Sequence, residues 1–125
     1  AIVTAEAKSI PLAYAVGIKL NVAWIVLRKS WKPYMGKALE AETFSITTGH
    51  SQTLYLDEKD QILIRGKRIA LIDDVISTGS TLQGMRMLID KAGGEVIASA
   101  AVFTEGDRAK WHDIIALGHL PVFTE

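Results

Sequence analysis

Two adjacent carboxylates, Asp73 and Asp74, stand just ahead of a run of small hydroxyl side chains around one glycine: Ser77, Thr78, Gly79, Ser80 and Thr81. Only the apolar pair Val75 and Ile76 separates the two groups. A loop of this kind feeding a helix amino terminus suits a phosphate. Its backbone N–H groups point outward, the helix dipole favours an anion, and the hydroxyls add donors. The acids would repel a phosphate in direct contact, and suit sugar hydroxyls or a magnesium ion beside it. A phosphate pocket next to hydroxyl-seeking carboxylates describes a ribose 5-phosphate site.

The flanking residues supply the elements that would hold these groups. Ile69, Ala70, Leu71 and Ile72 form a short continuous apolar run, as expected of a parallel strand buried on both faces, with the acids at its carboxyl end. Arg68 opens this strand. After the loop, Leu82, Met85, Leu88, Ile89 and Ala92 recur at helical spacing, predicting a helix from about Thr81 to Ala92. Lys91 falls in its last turn, and Gly93-Gly94 is its stop. Gly84 in its first turns costs about 1 kcal/mol against alanine, which points to the close approach of another backbone.

The segment Ile69–Leu82 closely resembles the signature of the type I phosphoribosyltransferases: apolar strand, two acids, two mostly apolar residues, then small, Thr, Gly, any residue, Thr. These proteins bind phosphoribosyl pyrophosphate (PRPP). The resemblance implies Asp73 and Asp74 at the ribose 2- and 3-hydroxyls, and Val75, Ile76 and Ser77–Thr81 around the 5-phosphate. Upstream, Ala5, Glu6, Ala7, Lys8 and Ser9 resemble the pyrophosphate loop of the adenine phosphoribosyltransferases, with Lys8 as the implied contact. Arg28 and Lys29 open a stretch to Lys37 with four basic residues and no acid. It resembles the basic stretch after the second strand in the same enzymes, which makes Arg28 and Lys29 the implied pyrophosphate clamp. A strand end carrying Arg and Lys faces the edge where open α/β sheets bind ligands.

Glu42–Thr47 and Thr53–Leu56 read as two short strands around a polar loop, with Gly49 supplying the turn. In the family this is the mobile hairpin that closes over the reaction centre, here about residues 30–58, and Thr47, Thr48, Gly49 and His50 would lie in it. Adenine enzymes carry Glu where this chain has Thr47, which leaves both adenine and 6-oxopurines open as the base. Family members also carry several tens of residues ahead of the first strand that form much of the hood over the base. The expectation is that this hood is incomplete.

The rest of the chain reads as alternating elements. Ala1–Thr4 is a strand, Ile10–Val16 a helix with Pro11 in its first turn and Gly17 as its stop, and Asn21–Leu27 a strand with Trp24 in the core. Asp57–Gly66 is a charged connection. Val96–Phe103 is a buried strand. Asp107 should cap a helix carrying Trp111, Ile114 and Ile115, stopped by Gly118, before a closing edge strand Leu120–Phe123. His112 and His119 have no partners at metal-ligand spacing and receive no role. Strand–helix alternation implies an α/β fold, a mostly parallel Rossmann-like sheet flanked by helices, over a single domain 1–125.

Composition is consistent with this. The 125 residues are 49% hydrophobic, enough for a real core, and the formal net charge is zero, so nothing points to nucleic acid or to an anionic membrane. The absence of cysteine removes disulfides and thiol chemistry. No apolar run is long enough to span a bilayer, and the expected location is the cytoplasm. The implied activity is transfer of phosphoribosyl from PRPP to a purine base in salvage, with magnesium bound through PRPP rather than held directly by the protein. A homodimer is expected, since the apolar termini Ala1–Val3 and Pro121–Phe123 would otherwise leave sheet edges uncovered. The alternative is a non-catalytic PRPP sensor of the purine-repressor type. A phosphoacceptor receiver domain would need a lone Asp ending another strand, and Ala1–Thr4 and Ala23–Leu27 end without one.

Overall fold

A computed structural model describes residues 1–45 and 49–121. Thr47, Thr48 and the Val122–Phe123 part of the expected closing strand lie outside the described residues. The strands are β1 (Ile2–Ala5), β2 (Trp24–Leu27), β3 (Leu39–Ser45), β4 (His50–Leu56), β5 (Arg68–Ile76), β6 (Glu95–Glu105) and β7 (Ile115–Leu120). The helices are α1 (Ile10–Leu20), the short α2 (Gln61–Ile64) and α3 (Ser80–Ala92).

β2-β1-β5-β6-β7 form one sheet in that order, with every neighbouring pair parallel. β3 and β4 make a separate antiparallel hairpin in which Leu39 faces Leu56 and Phe44 faces Ser51. From β1 the chain steps through α1 to β2 on one side. From β5 it steps through α3 to β6 on the other. Right-handed crossovers in opposite directions put the two helices on opposite faces of the sheet. The side chains agree. Ile2 and Ile72 pack with Ala13, Leu12 and Val16 of α1, whereas Val3, Ile69 and Leu71 pack with Leu82, Met85, Leu88 and Ile89 of α3. Ala41, Leu54 and Leu56 of the hairpin join the second cluster. Each fully buried side chain there contributes about 1.5–3 kcal/mol, so the larger core lies between sheet, α3 and hairpin. The direction of travel reverses between β1 and β5, and that gap is where open α/β sheets bind ligands.

Gly84 has the close neighbour that its cost implied. A Cβ there would lie 3.2 Å from Leu54 and 3.6 Å from Thr43, so the hairpin rests on α3 through side chains rather than backbone.

Other expectations need correction. Gly17 does not stop α1. The helix runs to Leu20 and ends at Asn21, whose φ of 54° is left-handed and whose N–H reaches the Gly17 and Ile18 carbonyls. Gly17 is instead a packing position, since a Cβ would lie 3.1 Å from the Trp24 ring. Trp24 is thus not core. It is 37% exposed, lying over α1 with Tyr14 edge-on at 5.6 Å. Asp57–Gly66 is not simple connection but two helical turns, Glu58–Asp60 and α2, started by the Asp57 carboxylate accepting from the Lys59 N–H.

The helix expected after Asp107 is only a short 3-10 turn, Arg108–Trp111, although Asp107 does cap it by accepting from the Ala109 N–H at 3.0 Å. Ile115 begins β7, and Gly118 sits inside that strand opposite Phe103. The spacing of Trp111, Ile114 and Ile115 mimics a helix face, but the free edge of β6 offers Ile115–Leu120 a ladder of hydrogen bonds that outweighs it. The closing strand therefore starts five residues earlier than Leu120. Finally, Ala1–Val3 is no sheet edge: β1 lies between β2 and β5, with Ile2 and Val3 buried.

Candidate functional site

A cleft of about 320 Å³ opens at the carboxyl ends of β1 and β5, at the reversal point of the sheet. One wall is the loop after β1: Ala5, Glu6, Ala7, Lys8 and Ser9. The other is Asp73, Asp74 and Val75, with Lys29 and Thr81 closing the sides. A smaller recess of about 40 Å³ adjoins it, lined by Val75–Gly79, Thr81 and Leu82, and shares the Asp73 wall.

The loop after β1 is held from below. The Ser9 hydroxyl is buried, donates to the Ala5 carbonyl at 3.0 Å and lies 2.6 Å from the Thr4 hydroxyl. Ser9 therefore braces the loop, while Ala7 and Lys8 are its exposed positions. Glu6 turns sideways. Its carboxylate accepts the Lys29 backbone N–H at 2.6 Å and pairs with the Arg28 guanidinium at 3.4 Å. One acid thus ties the β1 loop to the end of β2.

That tie separates the two basic residues read together in the sequence. Lys29 lines the cleft. Arg28 does not; its backbone pairs with Tyr55 of the hairpin in both directions, and its side chain lines a different recess with Asp57 and Asp60. In that recess burial, with Asp57 beside it, raises the Asp60 carboxyl above its ordinary range against the pull of Lys59 and Arg28.

The acid pair lies inside the strand end rather than beyond it, because β5 continues to Ile76. The Asp74 N–H donates to the Asp73 carboxylate at 2.8 Å. Burial pushes the Asp73 carboxyl up to about 7, helped by its hydrogen bond with Asp74 and by the neighbouring negative charge, and opposed by Lys29. Burial acts upward on Asp74 too. The hydrogen bond from Asp73, the nearby backbone N–H groups and Lys8 outweigh it and carry Asp74 below the ordinary carboxylate range. Near neutral pH the pair can therefore share one proton, with a lysine from a different loop on each side.

The hydroxyl run folds as a tight turn into α3. Gly79 precedes the helix with φ +86°, a conformation that L side chains rarely adopt. The Thr78 hydroxyl lies 3.1 Å from that of Ser80 and accepts the Ser80 N–H at 3.3 Å. Ser77, Thr78 and the amino terminus of a thirteen-residue helix border the recess together, with Asp73 on its opposite wall, and a helix amino terminus favours negative charge.

Gly49, with φ +70°, sits at the hairpin turn, and His50 is exposed at the start of β4, away from the cleft wall. Two neighbours of the site had no signal in the sequence. The Thr81 hydroxyl is 3.4 Å from Gln52 of β4, and the Trp111 ring lies against Gly79. Both contacts join residues far apart in the chain, so neither has a local spacing to read. His119 has both ring nitrogens occupied, one by Thr104 and one by the Gly106 carbonyl. Among the described residues no three His, Cys, Asp or Glu side chains cluster to hold a metal, and no helix is long and apolar enough to cross a membrane.

Comparison with known proteins adds to this geometry. The family described as phosphoribosyl transferase domain matches residues 1–119. The chain is 37% identical over 108 residues to a hypoxanthine/guanine phosphoribosyltransferase of Methanococcus voltae, covering 85% of this chain and 53% of that protein. It is 32% identical over 99 residues to an adenine phosphoribosyltransferase of Thermosipho africanus, covering 78% and 54%. Among solved structures, adenine phosphoribosyltransferase from Thermoanaerobacter pseudethanolicus superposes with a TM-score of 0.77 at 23% identity, over 95% of this chain and 69% of that one. The chain spans about half the length of the curated relatives it matches.

Proposed function

We propose, from the premise that this chain belongs to the phosphoribosyl transferase family, that it transfers 5-phosphoribosyl from PRPP to a purine base and releases pyrophosphate. The observation that carries the reading is the acid pair Asp73–Asp74, set between Lys8 and Lys29 and adjoining the hydroxyl-lined amino terminus of α3. In this assignment Ser77–Thr81 hold the 5-phosphate, the acid pair accepts hydrogen bonds from the ribose hydroxyls, and Lys8 and Lys29 face the pyrophosphate. Names among the relatives include both hypoxanthine/guanine and adenine enzymes, which supports a purine without choosing one.

The reaction balances without a covalent intermediate on the protein. A ring nitrogen of the base bonds to ribose C1, the C1–oxygen bond breaks, and pyrophosphate leaves with the electron pair while the base gives up a proton. Positive charge develops at C1 as the bond breaks. The chain contributes position and charge: the loop fixes one end of the ligand, the lysines stabilise the departing anion, and closure of the hairpin would exclude water. Glu6, Asp73 and Asp74 line the cleft, and Glu6 is already taken up by Lys29 and Arg28, so the acid pair would offer magnesium part of its oxygen shell and PRPP would supply the rest. Bound in that way, magnesium would neutralise pyrophosphate charge.

We place the active protein in the cytoplasm as a homodimer. Ile115 and Leu117 on β7 are 65% and 87% exposed, an apolar strip that a second copy would cover. A monomer mass in light scattering, independent of concentration, would exclude the dimer. The activity is tested by PRPP-dependent nucleotide formation with adenine, hypoxanthine, guanine and xanthine, using the full-length protein. Product with at least one purine is expected. PRPP binding without product from any purine would favour a sensor, and absence of PRPP binding would overturn the assignment.

A further inference from the structure

Trp111 belongs to no part of the chemistry above, yet it touches the centre of the hydroxyl loop. A Cβ built on Gly79 would lie 3.0 Å and 3.5 Å from two atoms at the far edge of the Trp111 six-membered ring. The indole is held in place. Its Nε1–H donates to the Glu105 carbonyl at 2.9 Å, and its ring packs against the main core cluster. The connection that carries it is fixed at both ends. Asp107 caps the turn Arg108–Trp111, and His119 fastens the end of β6 to β7. The Gly106 carbonyl can only accept, so the His119 Nε2 donates at that contact, while Nδ1 meets the Thr104 hydroxyl at 2.9 Å.

We propose that Trp111 is a positioning residue for the 5-phosphate loop. It forms the wall against which Gly79 turns, so that the amides ahead of α3 converge on an anion before one arrives. The inference rests on assigning Ser77–Thr81 to the 5-phosphate. The geometry explains two requirements at position 79 at once: a left-handed φ and no side chain on the face toward the indole. Loss of the wall leaves the loop free to relax into the vacated space, and the anion must then reorder it on binding.

The chain has three tryptophans, so replacing Trp24 and Trp31 by Phe leaves Trp111 as the sole indole. Titration of that full-chain variant with ribose 5-phosphate should change the Trp111 emission, saturating at the concentration at which calorimetry shows binding. Trp111→Ala should weaken ribose 5-phosphate binding about tenfold or more and leave pyrophosphate binding unchanged, whereas Trp111→Phe, which keeps an aromatic wall, should restore most of the affinity. If Trp111→Ala proves unfolded by circular dichroism, the emission titration and Trp111→Leu carry the same comparison. Wild-type affinity in folded Trp111→Ala or Trp111→Leu, or a silent Trp111 emission while calorimetry shows binding, would overturn the proposal alone. Equal loss of both anions would reduce Trp111 to general scaffolding and overturn it too. No binding of ribose 5-phosphate by the wild type would overturn the loop assignment itself.

Discussion

The loop Ser77–Thr81 and the basic edge made by Lys8 and Lys29 face the same acid pair, but they are made differently. The loop is one contiguous stretch that runs from the end of β5 into the first turn of α3, shaped by a left-handed turn at Gly79 and by the half-buried Trp111 ring against it. The basic edge is drawn from two loops, after β1 and after β2, and its ligand groups are long, exposed side chains. Glu6 joins the two loops, through its carboxylate to the Lys29 N–H and Arg28 and through its own N–H to the Leu27 carbonyl. Under the proposed assignment, one side is shaped before a ligand arrives and the other would be gathered by it. That division suits a ligand whose 5-phosphate end must be held while its pyrophosphate end departs.

The sharpest way to break the preorganised side is Gly79→Val. The left-handed φ and the Trp111 ring leave no place for a branched side chain. Loss of two or more charge-assisted bonds at about 1.5–3 kcal/mol each predicts an affinity for ribose 5-phosphate at least about 100-fold weaker. Calorimetry on the folded variant reads this, and unchanged affinity would remove the loop from the site.

Lys29→Ala should show the opposite selectivity. It should weaken pyrophosphate by roughly one charge-assisted contact, about 1.5–3 kcal/mol, and spare ribose 5-phosphate. Arg28→Ala is the control that the structure supplies, because Arg28 lines another recess and should act less than Lys29. The Arg28→Ala and Lys29→Ala variants losing pyrophosphate affinity equally would return both residues to one clamp.

The acid pair between the two sides gives a pH signature. The Asp73 carboxyl is raised to about 7, so the folded state holds a proton that the unfolded chain has lost. Its contribution to stability is complete below about pH 4 and disappears as pH climbs through about 7. Asp73→Asn cannot titrate and should lack this decline. Its melting temperature should gain on the wild type between pH 4 and 7, by differential scanning fluorimetry without ligand; parallel curves would contradict the burial of that charge.

The smallest effect belongs to the tie. Glu6→Gln keeps an acceptor for the Lys29 N–H but removes the charge opposite Arg28. A partly exposed pair of this kind contributes about 1 kcal/mol or less, so pyrophosphate affinity should change by only a few fold and ribose 5-phosphate not at all. A large loss of both would make Glu6 a structural keystone.

The same contrast governs what the sequence disclosed. The arrangement of Asp73–Thr81 was legible because it is contiguous: strand, acids, small residues and helix follow one another in the chain. The parallel sheet was legible too, since Ala1–Thr4, Ile69–Ile72 and Val96–Phe103 are apolar runs separated by helical periods or glycines, although β6 is not the buried strand expected, with Ile97 54% and Phe103 37% exposed. Gly17 and Trp24 were misread together, because each looks like something else until the two are seen in contact. β7 was misread because a three-residue helical spacing around Trp111 was the only local signal, and strand pairing is decided by a partner edge. The split between Arg28 and Lys29 could not be read either: adjacent residues at a strand end point to opposite sides, and which side faces the cleft depends on the hairpin pairing through Tyr55.

The two sides are proposed to hold opposite ends of one ligand. Calorimetric titration of the full-length wild type with PRPP in magnesium, repeated in the presence of saturating ribose 5-phosphate or saturating pyrophosphate, tests it directly. Competition by each of the two, together with simultaneous binding of ribose 5-phosphate and pyrophosphate when PRPP is omitted, is the predicted result. PRPP binding that neither fragment displaces would contradict it.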